Sequence, residues 1–176
     1  GIEDYDYYPK GTTFFVAPRA WLLEACDGFD SLYDDASLAN DDTLLIRPLA
    51  ERSRINLSPG FRCTYHSRDS WSKFRRHTFH RGTVFVDGYF RPGSRFFVPL
   101  LAVIGSAPLV VVALVKRPVA VLAGLGAALG AMASVARRCG ASRSETRSLV
   151  ELAVPFGAIY GAGIIRGLII AGRTAV

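Results

Sequence analysis

Two adjacent carboxylates, Asp41 and Asp42, stand behind Asn40 in the run N-D-D-T-L-L-I-R at 40–47. A carboxylate fixed beside a substrate hydroxyl can do general acid–base chemistry. The same pattern has a purely structural use, because Asn is a preferred N-cap and acids in a first turn complement the helix dipole by about 0.3–1 kcal/mol. Local features alone favour the structural use. A second concentration of chemistry is R-D-S-W-S-K-F-R-R-H-T-F-H-R-G at 68–82. At about 100° per residue, Trp71, Phe74, Thr78 and Phe79 fall on one face of a helix and Lys73, Arg76, His77 and His80 on the other. Three readings of that helix stand: an ordinary packed surface helix, a nucleic-acid patch, or a helix lying in the lipid headgroup plane. An uncharged span follows soon after it, and Trp, Phe, Arg and Lys suit a membrane boundary, which favours the third reading.

Other reactive residues carry less. Cys26, Cys63 and Cys139 are odd in number and lack C-x-x-C spacing, so they predict neither a disulfide framework nor a zinc site, but buried thiols in a reducing compartment. His66, His77 and His80 form no H-E-x-x-H pattern. Asp4-Tyr5-Asp6 is a D-x-D, but only G-I-E precedes it where a metal-holding turn needs an apolar strand, so it reads as an acidic loop.

The elements that would position these groups follow from the pattern. Residues 12–16, T-T-F-F-V between Gly11 and Pro18, predict a buried strand. Residues 19–26 predict a short helix closed by Asp27-Gly28, and 29–40 a polar, Asp-rich loop of a length often found at functional sites. After the helix that opens at Asn40, strands are predicted at 54–57 and 61–66 around the turn Ser58-Pro59-Gly60. Residues 83–95 then read as a linker.

The chain has 176 residues, is 50% hydrophobic and carries a net charge of +6. Its mean hydropathy of +0.24 exceeds that of a small soluble domain. The charge is uneven: residues 1–95 carry 13 basic and 13 acidic side chains, and 96–176 carry 8 and 2, so a pI of 9.5 does not signal nucleic-acid binding. Within the first part, an acidic lobe at 1–60 precedes a basic strip at 61–95, an order that suits a basic face meeting anionic headgroups. Three uncharged or nearly uncharged spans follow at about 96–115, 118–136 and 149–172, each long enough to cross roughly 30 Å of hydrocarbon. Pro99 and Pro108 are expected to kink the first, and Arg166 in the third to snorkel or pair with a neighbouring helix. If all three cross, the Arg-rich loop R-R-C-G-A-S-R-S-E-T-R places itself and the polar part in the cytoplasm and the C-terminus outside; the short Lys116-Arg117 link leaves a re-entrant pair open. With Gly first and no signal peptide, the chain is expected to begin partway into a longer protein.

The order of these features resembles the second half of a family 2 inverting glycosyltransferase of the membrane-attached bacterial kind. The segments that carry the likeness, over 11–82, are G-T-T-F-F-V-A-P-R, D-G-F-D at 27–30, N-D-D-T-L-L-I-R, R-I-N-L-S-P-G at 54–60 and the basic helix at 68–82. The resemblance implies an α/β fold, a partial GT-A-like acceptor-side half over 1–67, followed by an interfacial amphipathic helix and linker over 68–95 and an all-α membrane region over 96–172. It implies that Asp42 is the catalytic base, with Asp41 in support. It implies substrate contacts from Asp30, Arg68, Trp71, Arg76, His77, His80 and Arg81, a nucleotide-sugar donor, a lipid-linked or glycan acceptor, and contact with membrane lipids but not nucleic acid. A divalent ion (Mg or Mn) is implied for the full-length enzyme; its ligand motif and the donor half lie outside this chain, which alone is expected to be inactive. The helix at 68–82 lacks the Trp of the Q-x-x-R-W pattern, which separates it from the processive synthases. The alternative from another class is a non-catalytic membrane anchor or scaffold on the inner membrane, in which the two acids only cap a helix.

Overall fold

The computed structural model describes residues 15–53, 64 and 69–174, and over these the chain is built from helices: α1 (Arg19–Asp27), α2 (Asp41–Arg52), α3 (Trp71–Tyr89), α4 (Phe97–Lys116), α5 (Pro118–Arg138) and α6 (Arg143–Thr174), with one 3₁₀ turn at Ala36–Leu38. No β-strand occurs among the described residues, which overturns the α/β, GT-A-like half expected from the sequence. Among the described residues the packing is helix on helix, with no sheet for Val16 to join. Val16, at the end of the expected strand 12–16, is irregular and 76% exposed. The rest of that strand, those at 54–57 and 61–66 apart from Thr64, and Asp4-Tyr5-Asp6 lie outside the described residues.

The second correction concerns α3. Its sequence was expected to stop at Gly82 and pass into a linker, yet the helix runs on to Tyr89 and its second half is the centre of the core: Thr83, Val86 and Asp87 are fully buried. The run T-V-F-V-D-G-Y is rich in β-branched residues and glycine, poor helix formers. Tertiary packing supplies what propensity lacks. α3 lies along α6 and the two cross at glycines: a Cβ added at Gly82 would sit 2.2 Å from the Tyr160 carbonyl oxygen, and one at Gly163 would sit 2.1 Å from that of Phe79. One turn on, a Cβ at Gly167 would meet Val86 at 3.0 Å. Contacts advance in the same sense on both helices, so they run parallel. Gly163 and Gly167 form a G-x-x-x-G pair, the spacing that lets two backbones approach closely. Thr83 uses that approach, its hydroxyl donating to the Gly163 carbonyl at 3.2 Å.

α1 packs on α2, where Ala25 and Leu49 are buried, while Arg52 lies over the Trp21 ring at 4.8 Å and pairs with Glu24. Cys26 and Cys139 are exposed free thiols, not the buried ones expected; Cys63 lies outside the described residues.

The apolar region behaves differently. α4, α5 and α6 are each long and apolar enough to cross a membrane. A single residue, Arg117, separates α4 from α5, whose first position is proline, where the lost N–H costs nothing. Gly140, at φ +90°, turns the chain between α5 and α6, a left-handed conformation glycine adopts without penalty. Val103, Leu109, Val115, Val119 and Leu122 point outward and more than 60% exposed, a surface that only lipid or another apolar partner covers without cost. Pro99 falls in the first turn of α4 and Pro108 in its interior.

Candidate functional site

The polar face of α3 and the N-terminus of α2 meet because a buried acid holds them together. Asp87 has no exposed surface, and its carboxyl accepts from the backbone N–H of Leu32 and of Asn40, each at 2.6 Å, and from the Ser31 hydroxyl at 3.1 Å. Arg91 completes the set, 3.4 Å from Asp87 and ion-paired with Asp30 at 2.7 Å. A buried carboxyl is tolerated only when its oxygens are satisfied in this way. The loop at 29–40 is thus pinned at both ends to one side chain.

Three further contacts fix the joint. Asn40 caps α2 by accepting from the Thr43 N–H at 3.2 Å, and its side chain lies flat on Gly88, where a Cβ would be 2.1 Å from Asn40 Nδ2. Arg47 donates to the Gly88 carbonyl at 3.2 Å. Tyr33 reaches across to donate to the Thr83 carbonyl at 2.7 Å, in space left by Gly167, and burial, with the Asp87 carboxyl beside it, raises its phenol above the ordinary tyrosine value.

This joint delivers Asp42 to α3. Half-buried Asp42 lines a small cleft of ≈ 60 Å³ with Asn40, Thr43, Arg81, Val84, Phe85, Tyr89 and Tyr160. An acid from α2, a guanidinium from α3 and two phenols, one from α3 and one from α6, converge there. The wall opposite Asp42 is stiffened by aromatic contacts: Phe85 meets Tyr89, Phe96 and Tyr160 with ring centroids 4.6, 5.8 and 5.8 Å away. Such pairs contribute about 0.5–1.5 kcal/mol each beyond area burial.

The remaining sequence candidates divide into two groups. Arg76, His77 and His80 share with Lys73 a groove of ≈ 400 Å³ on the outer side of α3, a cationic face of the kind that binds phosphate. Trp71 is 50% exposed and stacks on Phe74 at 5.2 Å, away from the cleft. Asp30 is committed to Arg91 rather than to the cleft. Asp41 is the first residue of α2, and Arg68 lies outside the described residues. Arg166 sits over the Phe79 ring at 5.8 Å, so it engages the neighbouring helix.

Sequence reasoning missed Asp87, Tyr33, Tyr89 and Tyr160. A signal existed for the first: a lone acid inside T-V-F-V-D-G-Y must be satisfied if that run is buried. Among the described residues no group of three or more His, Cys, Asp or Glu side chains could hold a metal ion, so no metal step is assigned to them. No known protein family, curated protein or solved structure matches the chain.

Proposed function

We propose that this chain is the acceptor-side and membrane part of a glycosyltransferase, using a nucleotide sugar and a lipid-linked or glycan acceptor. The observation that carries the reading is the convergence of Asp42 and Arg81 on one cleft, one turn from a cationic groove. In it, Asp42 accepts the proton of the acceptor hydroxyl while that oxygen bonds to the anomeric carbon and the carbon–oxygen bond to the diphosphate breaks on the opposite face. Arg81 lines the same cleft and presents a positive charge to the reacting groups. Lys73, Arg76, His77 and His80 meet phosphate oxygens of a lipid-linked acceptor. The donor and its divalent ion are held by groups other than those described. The site lies on the cytoplasmic face of the inner membrane, the side that an arginine excess favours.

A second reading has its own observation. A cleft of ≈ 60 Å³ is well below the roughly 300 Å³ at which ligand pockets begin, and Asp42 lies in a first helical turn, where an acid stabilises the helix without any reaction. A non-catalytic anchor or scaffold accounts for both facts. The two separate by experiment: in membranes carrying the chain with its donor-binding portion, sugar transfer from a labelled nucleotide sugar should fall by about 10²-fold or more in Asp42→Asn with donor binding kept. Turnover within a few-fold of the native protein sinks the catalytic reading.

A further inference from the structure

Away from the α3–α6 crossing, the end of α5 and the first turns of α6 enclose a cleft of ≈ 430 Å³ lined by Arg137, Arg143, Thr146, Arg147, Val150 and Glu151. On α6 these residues recur at three- and four-residue spacing, so one stripe of the helix faces Arg137. Local structure fixes the stripe. Ser142 caps α6 reciprocally, its hydroxyl accepting from the Glu145 N–H at 3.2 Å and its own N–H donating to the Glu145 carboxyl at 2.7 Å. Glu145 is therefore spent on the turn. Arg137 donates to the Ala141 carbonyl at 2.8 Å, which holds it over the cleft, and Glu151, the one carboxylate lining it, pairs with Arg147 at 2.6 Å. Three guanidinium groups against one carboxylate leave an anion-binding charge in the cleft.

What adjoins the cleft decides which anion. Val154, one turn beyond Val150 on the same stripe of α6, is exposed, and α5 and α6 are both apolar enough to cross a membrane. Cationic groups at one end and bare apolar surface at the other match an amphiphile, and a free anion would use only the first. We propose that this cleft binds the headgroup phosphate of an anionic phospholipid, with Arg137, Arg143 and Arg147 donating to its oxygens and the acyl chains lying on α5 and α6. The site is independent of the transferase reading.

The test uses the full chain reconstituted in phosphatidylcholine vesicles containing a minor fraction of phosphatidylglycerol, extracted in mild detergent and weighed by native mass spectrometry. The expected result is preferential retention of phosphatidylglycerol, reduced about five-fold for each arginine removed in the series Arg137→Gln, Arg143→Gln and Arg147→Gln. Glu151→Gln removes the carboxylate that competes for Arg147 and should raise retention, a gain that misfolding cannot produce. Equal retention of the two lipids, or no gain in Glu151→Gln, overturns the proposal. Displacement of the bound lipid by inorganic phosphate would mark a free-anion site and overturn it too.

Discussion

At the residue scale the molecule turns on Asp87. It accepts from two backbone N–H groups in a loop more than forty residues upstream, and no other residue type offers two acceptor oxygens at that reach from α3. Asparagine there would set an amide NH₂ against one of the two N–H donors, leaving a buried donor unsatisfied. Asp87→Asn should therefore lower unfolding stability by about 3 kcal/mol, measured by denaturant titration in detergent. A second readout follows the phenol that lies beside this carboxyl. The folded-state pKa of Tyr33 is raised first by burial and then by Asp87, so stability from that phenol is complete below the unfolded tyrosine value near 10 and is lost as pH rises beyond it. In Asp87→Asn, phenolate absorbance of Tyr33 should appear at lower pH than in the native protein. Unchanged stability and an unchanged titration would show that Asp87 does not hold the joint. The acid pair at 41–42 was legible because capping residues announce themselves locally. Asp87 was not, because its partners lie far away in sequence.

At the element scale the decisive contact is the glycine crossing of α3 and α6. The atoms that a new methyl group would strike are backbone carbonyls, which cannot swing aside. Gly82→Ala and Gly163→Ala should each separate the helices and cost about 3 kcal/mol or more, the range of overpacking and lost contact together. Gly161→Ala, two residues from the crossing with nothing within 4 Å, should be neutral or stabilising by about 0.5–1 kcal/mol. Thermal denaturation of the three variants in one detergent compares them directly, and equal effects would remove the crossing from the account. The three apolar helices could be read from the sequence because twenty uncharged residues have few other uses. The length of α3 could not, because Gly82 looks like a helix stop until Gly163 is known to lie against it. The G-x-x-x-G spacing in α6 was the available clue. Of the expected strands only Phe15, Val16 and Thr64 fall among the described residues, and none of the three is in a strand.

At the scale of the whole molecule, the crossing constrains the membrane arrangement. α3 carries α1 and α2 through Asp87, and because all three are polar, we infer that the part of α6 bound to α3 stays on their side. A C-terminus on the far side, expected if all three spans cross, conflicts with that packing. We infer instead that α4 and α5 form the crossing pair, turning at Arg117, while α6, the least apolar of the three, lies with α3 along the interface. At 32 residues α6 is roughly 48 Å long, well beyond the roughly 30 Å a perpendicular crossing uses. The arrangement leaves the Asp42 cleft, the cationic groove of α3 and the arginine cleft on one face of the membrane, where a membrane-bound acceptor could reach them. It rests on one packed body formed by α2, α3 and the C-terminal half of α6. The most direct measurement labels single cysteines in sealed vesicles with a membrane-impermeant thiol reagent, with native Cys26 and Cys139 as references on exposed polar segments. Thr174→Cys should react from the same face as Cys26 and Cys139, and Arg117→Cys from the opposite face; reaction of Thr174→Cys together with Arg117→Cys, opposite Cys26, would contradict it.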